Sequence, residues 1–246
     1  MAYDVAWRTQ AGRRTVDNRD CAGVGIRGDE ALCIVLDGST RGRESGALAR
    51  DIATGLIDWF VDLDPPVTAQ TIGDRLRELH RTLSPRWRRA SASYGLIHLD
   101  GRGSGVALHA GDCLLGRVED GGAAWLTRPH TLANALVEME VAAIAADPAR
   151  HRLTRSFRIR EFMPPAVLRL DRERDLILAT DGFWADLPGA CQARFLAGED
   201  PPQGGEADDR SVLRVRIHDG APSLRPSVSG DGDGLYVRVA GTPGPR

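Results

Sequence analysis

Two apolar runs in this chain end in the same dipeptide: "ALCIVLDG" closes at Asp37 and Gly38, and "LILATDG" closes at Asp181 and Gly182. A strand with no polar alternation is buried on both faces, so each run requires a covering layer on either side. That excludes a simple sheet with one face in water. Asp-Gly itself is ordinary turn chemistry, because Gly supplies positive φ and Asp bonds the backbone just beyond itself. The chain has seven such pairs, at Asp37, Asp100, Asp120, Asp181, Asp219, Asp231 and Asp233. Only what precedes them distinguishes Asp37 and Asp181.

The periodicity around these runs fixes the class of fold. Residues 21–36 form two short strand patterns around a turn at Gly28 and Asp29. Leu48, Ile52, Leu56 and Phe60 then recur every four positions, and Ile72, Leu76, Leu79 and Leu83 follow at 4, 3, 4 spacing, which predicts two consecutive amphipathic helices. Pro65 and Pro66 separate them. From residue 93 the period changes to two, predicting a meander of antiparallel strands with Gly-rich turns through Thr127. A helix is expected over 131–146, "TLANALVEMEVAAIAA", with weaker helical patterning after Pro148. "AVLRLDRERDLILATDG" reads as a hairpin with a charged turn, followed by a short helix over 189–196, a loop over 198–207 and a strand over 211–217. Strand meanders with helices inserted in pairs do not match βαβα alternation, and they predict an α+β sandwich with sheets inside and helices outside. One domain over 1–220 is expected, with a 221–246 extension holding a further strand at 235–239 and a disordered end.

Composition removes several function classes. The 246 residues contain no Lys, so all 32 basic residues are Arg, yet the formal net charge is -2 and the pI near 6.3. No overall cationic field would hold the chain to nucleic acid or an anionic membrane. The "RWRRA" cluster at 86–90 reads as a solvated face. Cys21, Cys33, Cys113 and Cys191 form no CxxC pair and fit a reduced cytoplasmic setting, and no stretch approaches the roughly 18 apolar residues a membrane helix needs. Neither a nucleophile elbow nor a phosphate-binding glycine loop is present.

Carboxylates at strand ends suit hard divalent cations, which prefer carboxylate, carbonyl and water oxygens. Asp112 in "GDC" and Asp208 in "EADDRSVLRVRI" join Asp37 and Asp181 as candidates. Spacing alone leaves turn formation as the simpler reading, and the order of the motifs changes it. "NRD" at 18–20, "VLDG" at 35–38, "GDC" at 111–113, "LTRSF" at 153–157, "LATDGFW" at 178–184 and "DDRSVLRV" at 208–215 together resemble the metal-dependent protein phosphatases of the PP2C type, over about residues 10–217.

The resemblance implies a four-layer α-β-β-α sandwich with two central, mainly antiparallel sheets. It also implies a dinuclear Mg²⁺ or Mn²⁺ centre that activates a bridging water for in-line attack on phosphorus. Asp37 matches the bridging carboxylate, Gly38 a carbonyl ligand, Asp181 and Asp208 the other direct ligands, and Asp20 a residue reached through water. A phosphorylated protein substrate and an opposing Ser/Thr kinase are implied as partners, with no nucleic acid and no membrane. The chain departs from the pattern in several places. Arg19 puts a cation just before Asp20, where it would repel a metal. Thr15 stands where the phosphate-gripping Arg is expected, leaving Arg14 or Arg13 to serve. Ala185 replaces a carboxylate that would join Asp112 at a third metal, with Asp186 one position late. Asp209 replaces an Asn, and Ser39 holds a place where some members have His. Cys113 and Leu114 replace Ser and Arg, and His130 is expected to start the 131–146 helix. Arg19, Ala185 and the displaced Arg support a second reading, a weakened pseudophosphatase that binds phosphoproteins or a partner, whereas the intact Asp37, Asp181 and Asp208 support the phosphatase.

Overall fold

The computed structural model of the chain describes residues 1–62, 66–201, 207–221, 223–231 and 234–241. Pro65, Asp233, residues 202–206 of the expected 198–207 loop and the tail from 242 lie outside them.

One sheet runs in the order β12 (Ser223–Gly230), β1 (Ala2–Gln10), β11 (Arg210–His218), β10 (Asp175–Ala179), β6 (Leu114–Glu119), β7 (Gly122–Trp125). The other runs β13 (Leu235–Val239), β2 (Asp20–Arg27), β3 (Glu30–Gly38), β4 (Ser91–Leu99), β5 (Gly105–Ala110), β9 (Ala166–Leu170), and the two-residue β8 (Phe157–Arg158) pairs with β4. Both sheets are antiparallel except at one edge, where β12 runs parallel to β1 and β13 parallel to β2.

Strand alternation sorts the apolar side chains into three cores. On β3, Leu32, Ile34 and Leu36 face helices α1 (Ser45–Asp62) and α2 (Ala69–Leu83), while Ala31, Cys33 and Val35 face the opposite sheet. On β10, Leu176 and Leu178 enter that same inter-sheet core, whereas Ile177 and Ala179 pack outward against Ile144 of α3 (Val141–Ala146), Phe183 of α4 (Asp181–Trp184) and Phe195 of α5 (Gly189–Leu196). Three stacked cores define four layers, so both unbroken apolar runs are covered on both faces as their sequences require. The α1 stripe is buried throughout, and α2 opens on a capping box between Thr68 and Thr71.

Three expectations are corrected. Only Val141–Ala146 of the 131–146 segment is helical, because the Asn134 side chain accepts from the Thr131 N–H and hydroxyl and donates to the Pro129 carbonyl, competing with helical bonds. Leu136 and Val137 are exposed, so the apolar pattern there finds no surface to bury against. The expected 166–182 hairpin is an arch between sheets, since β9 pairs with β5 and β10 with β6 and β11. The 93–127 meander crosses sheets in the same way at Gly111, whose φ of +107° suits only glycine. Residues 223–239 supply the outer strand of each sheet, with β13 at the expected 235–239. β1 and β12 were missed, although Tyr3, Val5 and Trp7 alternate along β1.

Candidate metal and phosphate site

Both sheets direct strand ends toward one cleft of about 800 Å³. Asp37 is the penultimate residue of β3 and lies across the ladder from Asp20, the first residue of β2. Asp181 opens the single turn of α4 directly after β10, Asp112 follows Gly111 in the sheet crossing, and Asp208 precedes β11. Asp37, Asp112, Asp181 and Asp208 line the cleft with Arg14, His151 and Ser93. Asp20 lies behind this wall, buried, where its Oδ2 accepts the Thr180 hydroxyl at 2.9 Å. Thr180 is itself fixed by the Ser211 N–H at 3.0 Å, and Ser211 by the Thr9 hydroxyl at 2.7 Å. A hydroxyl network from β1, β10 and β11 therefore sets the floor.

Close backbone approach explains two glycines. A Cβ on Gly182 would lie 2.0 Å from the Asp209 carbonyl oxygen, and one on Gly38 would lie 2.7 Å from the Ser45 backbone at the start of α1. Each strand-end Asp is thus followed by the one residue that lets its loop close on the neighbouring element.

Burial pushes the Asp37 carboxyl well above the usual range, and Asp20, Asp181, Asp112 and Asp208 add to the shift. Asp181 rises for the same reasons, with Arg150 opposing, and Asp20 rises through burial and then Asp209. Asp112 Oδ1 is buried with no hydrogen-bond partner. Among the described residues no three Asp, Glu, His or Cys side chains converge on one point as a closed ligand set. The donors are nevertheless all hard oxygens, desolvated and mutually repelling, with one buried oxygen lacking any partner. This chemistry fits divalent Mg²⁺ or Mn²⁺.

The arginines separate by partner. Arg14 Nη1 meets Asp208 Oδ2 at 2.6 Å on the cleft wall, whereas Arg13 does not line the cleft and contributes its backbone N–H to the Ala207 carbonyl. Arg19 points its guanidinium away from the expected metal, into the loop after β3. Its Nη1 donates to the carbonyls of Ser39, Thr40 and Gly42 at 3.0, 3.1 and 2.9 Å, and its Nε to Asp17. Asp209 also faces backbone, accepting from the Gly12 and Arg19 N–H groups at 2.7 and 2.8 Å.

Sequence patterning missed Arg150, whose buried side chain reaches both Asp181 and Asp186. His130 starts no helix. Its backbone bonds the Gly111 carbonyl, its Nδ1 accepts the Gly111 N–H at 3.3 Å, and its ring stacks on His109 at 4.5 Å, so it braces the turn carrying Asp112. Burial lowers the His109 pKa to about 3 and that of His130 to about 4, keeping both neutral. In "RWRRA", Trp87 is buried and its Nε1 donates to Asp51, so no aromatic face is offered to a nucleic-acid base. Among the described residues no helix is long and apolar enough to cross a membrane.

Comparison with known proteins adds to this geometry. No family model matches the sequence, and no curated protein does. Solved structures do. A Streptococcus agalactiae serine/threonine phosphatase superposes with a TM-score of 0.71 at 20% identity, covering 88% of this chain and 100% of that one. A Staphylococcus aureus serine/threonine phosphatase gives 0.72 at 15% identity, covering 87% and 94%. The catalytic domain of the phosphatase PstP, in complex with two manganese ions, gives 0.61 at 16% identity, covering 88% and 99%. At these identities the likeness establishes architecture, and the chain has the α-β-β-α sandwich fold of the bacterial serine/threonine phosphatases.

Proposed function

We propose that this chain is a metal-dependent protein serine/threonine phosphatase that hydrolyses phosphomonoesters. The observation that carries the reading is the convergence of Asp37, Asp112, Asp181 and Asp208 with Arg14 on one cleft. Asp37, Asp181 and Asp208 would hold two Mg²⁺ or Mn²⁺ ions, with the Gly38 carbonyl as a further ligand and Asp20 acting through water, while Asp112 lines the cleft beside them. Bound there, such ions would supply Lewis acidity, lowering the pKa of water so that hydroxide is available at neutral pH and offsetting negative charge on the phosphoryl oxygens.

The chain's own groups supply the rest. Arg14 presents a planar fork suited to a phosphoryl group and pairs with Asp208. Thr180 and Ser211 hold Asp20 and the base of Asp181 in place. His130 and Gly111 hold the Asp112 turn. Substrates would be cytoplasmic phosphoproteins, opposed by a Ser/Thr kinase.

A second reading, a weakened pseudophosphatase that binds phosphoproteins or a partner, draws on Ala185 and on the engagement of Asp186 by Arg150. The two are separated by Mn²⁺-dependent phosphate release from a small aryl phosphate and a phosphothreonine peptide. Wild type is expected to turn over both, with Asp37→Asn and Asp181→Asn slower by on the order of 10²-fold or more. Equal, negligible rates for all three proteins in excess metal would sink the enzyme reading.

A further inference from the structure

Arg150 stands apart from the other arginines around the cleft. It lies in a 3₁₀ turn, Pro148–His151, held by its own N–H to the Asp147 carbonyl and by the Asp147 side chain, which accepts from Ala149. Its side chain is only 9% exposed. One guanidinium nitrogen lies 3.1 Å from Asp181 Oδ2 and the other 2.6 Å from Asp186 Oδ1. The second oxygen of Asp186 faces the Asp208 N–H at 3.5 Å. One buried cation therefore ties together Asp181, the carboxylate one turn-step after Ala185, and the strand start that carries Asp208.

Such an arrangement is costly as mere packing, because a buried Arg is desolvated and an apolar residue of similar volume often serves as well or better. Its geometry has a chemical consequence instead. The fork bridges Asp181, which lines the cleft together with Asp112, and Asp186 behind it, and Asp112 has a buried oxygen with no partner. A divalent ion placed there would meet a fixed positive charge and find one oxygen each of Asp181 and Asp186 already bonded. The remaining floor, with Asp37 and Asp208, has no such buried cation among the described contacts.

We infer that Arg150 is a permanent counter-cation of the site, standing where a further divalent ion would otherwise sit against Asp181 and Asp186, so that the cleft takes two ions and not three. The inference rests on the dinuclear reading above, and it makes Arg150 a positioning residue that acts through Asp181.

The test is Mn²⁺ stoichiometry and affinity, by titration calorimetry and metal analysis, on the full chain as wild type, Arg150→Met, Arg150→Lys and Asp186→Asn. Wild type and Arg150→Lys are expected to bind two ions, and Arg150→Met three, because only Met removes the charge. In Asp186→Asn the guanidinium turns wholly to Asp181, and Mn²⁺ affinity is expected to fall roughly 10-fold or more. Two ions in Arg150→Met at wild-type affinity, or the same change in the Met and Lys variants, would overturn the assignment. Should Arg150→Met fail to fold, unchanged affinity in Asp186→Asn overturns it alone. If wild type binds no Mn²⁺ while Arg150→Met does, the dinuclear reading fails and the counter-cation assignment stands; if neither binds, both fail.

Discussion

Arg19 and Arg150 are both buried arginines next to the carboxylate floor, one on each sheet's side of the cleft, and their partners are opposite in kind. Arg19 gives its guanidinium to three backbone carbonyls and one half-exposed carboxylate in the loop after β3. Arg150 gives its guanidinium to the buried carboxylate of Asp181 and the partly buried one of Asp186. The residue type is the same, but one braces the chain and the other balances charge. A guanidinium has five donors and no acceptor, so its role is set by which acceptors the fold brings to it.

Substitution and metal should therefore affect the two sides differently. Arg19→Met leaves the Ser39, Thr40 and Gly42 carbonyls without their buried donor and should cost on the order of 3–5 kcal/mol in urea unfolding, with no recovery on adding Mn²⁺. Arg150→Met should cost a similar amount without metal, since it strands the buried Asp181 and the partly buried Asp186, and should recover most of it in Mn²⁺. Equal responses to Mn²⁺ in the two variants would erase the distinction. Gly182→Ala tests the junction between the sides. With its Cβ 2.0 Å from the Asp209 oxygen, α4 and the start of β11 must separate, which should cost about 2–3 kcal/mol and lower metal affinity together.

Acid provides a third probe, through the turn that carries Asp112. His109 and His130 bind protons less readily folded than unfolded, where the ordinary value is 6.5, because burial disfavours their charged forms. Their contribution is intact above pH 6.5 and is lost as pH falls toward about 4 and then about 3. Relative to His109→Gln, wild type should lose on the order of 2–3 kcal/mol between pH 7 and pH 4. Parallel pH profiles would show that the stacked pair carries no such load. The smallest effect is expected from Asp37→Asn without metal, which relieves like-charge repulsion and should raise stability by about 1 kcal/mol, an advantage that Mn²⁺ abolishes.

Much of the architecture was legible because burial on two faces leaves a direct mark on sequence. "ALCIVLDG" and "LILATDG" had to lie between layers, and the four-residue stripe of α1 and the capped repeat of α2 had to cover one of them. The positions of Asp37, Asp112, Asp181 and Asp208 could be named because the first three follow strand patterns and Asp208 precedes one. Failures came where local pattern and tertiary partner disagreed. Leu136 and Val137 complete a helical stripe that no surface receives, and Asn134 gives the backbone there other bonds. "AVLRLDRERDLILATDG" carries every local sign of a hairpin, yet pairing energy for β9 lies with β5 and for β10 with β6 and β11.

By itself, then, the sequence determined which segments are strands and helices over most of the chain, which faces are apolar, and which carboxylates stand at strand ends. Periodicity and turn chemistry are local properties, so they can be read in one dimension. Tertiary structure alone decided where the two sheets part, that Arg14 and not Arg13 meets the cleft, that Arg19 turns away from it, and that Arg150 enters the floor from 31 residues before Asp181. Long polar side chains reach several ångströms in directions set by packing, and their charges are settled only when burial brings distant acceptors within hydrogen-bond range.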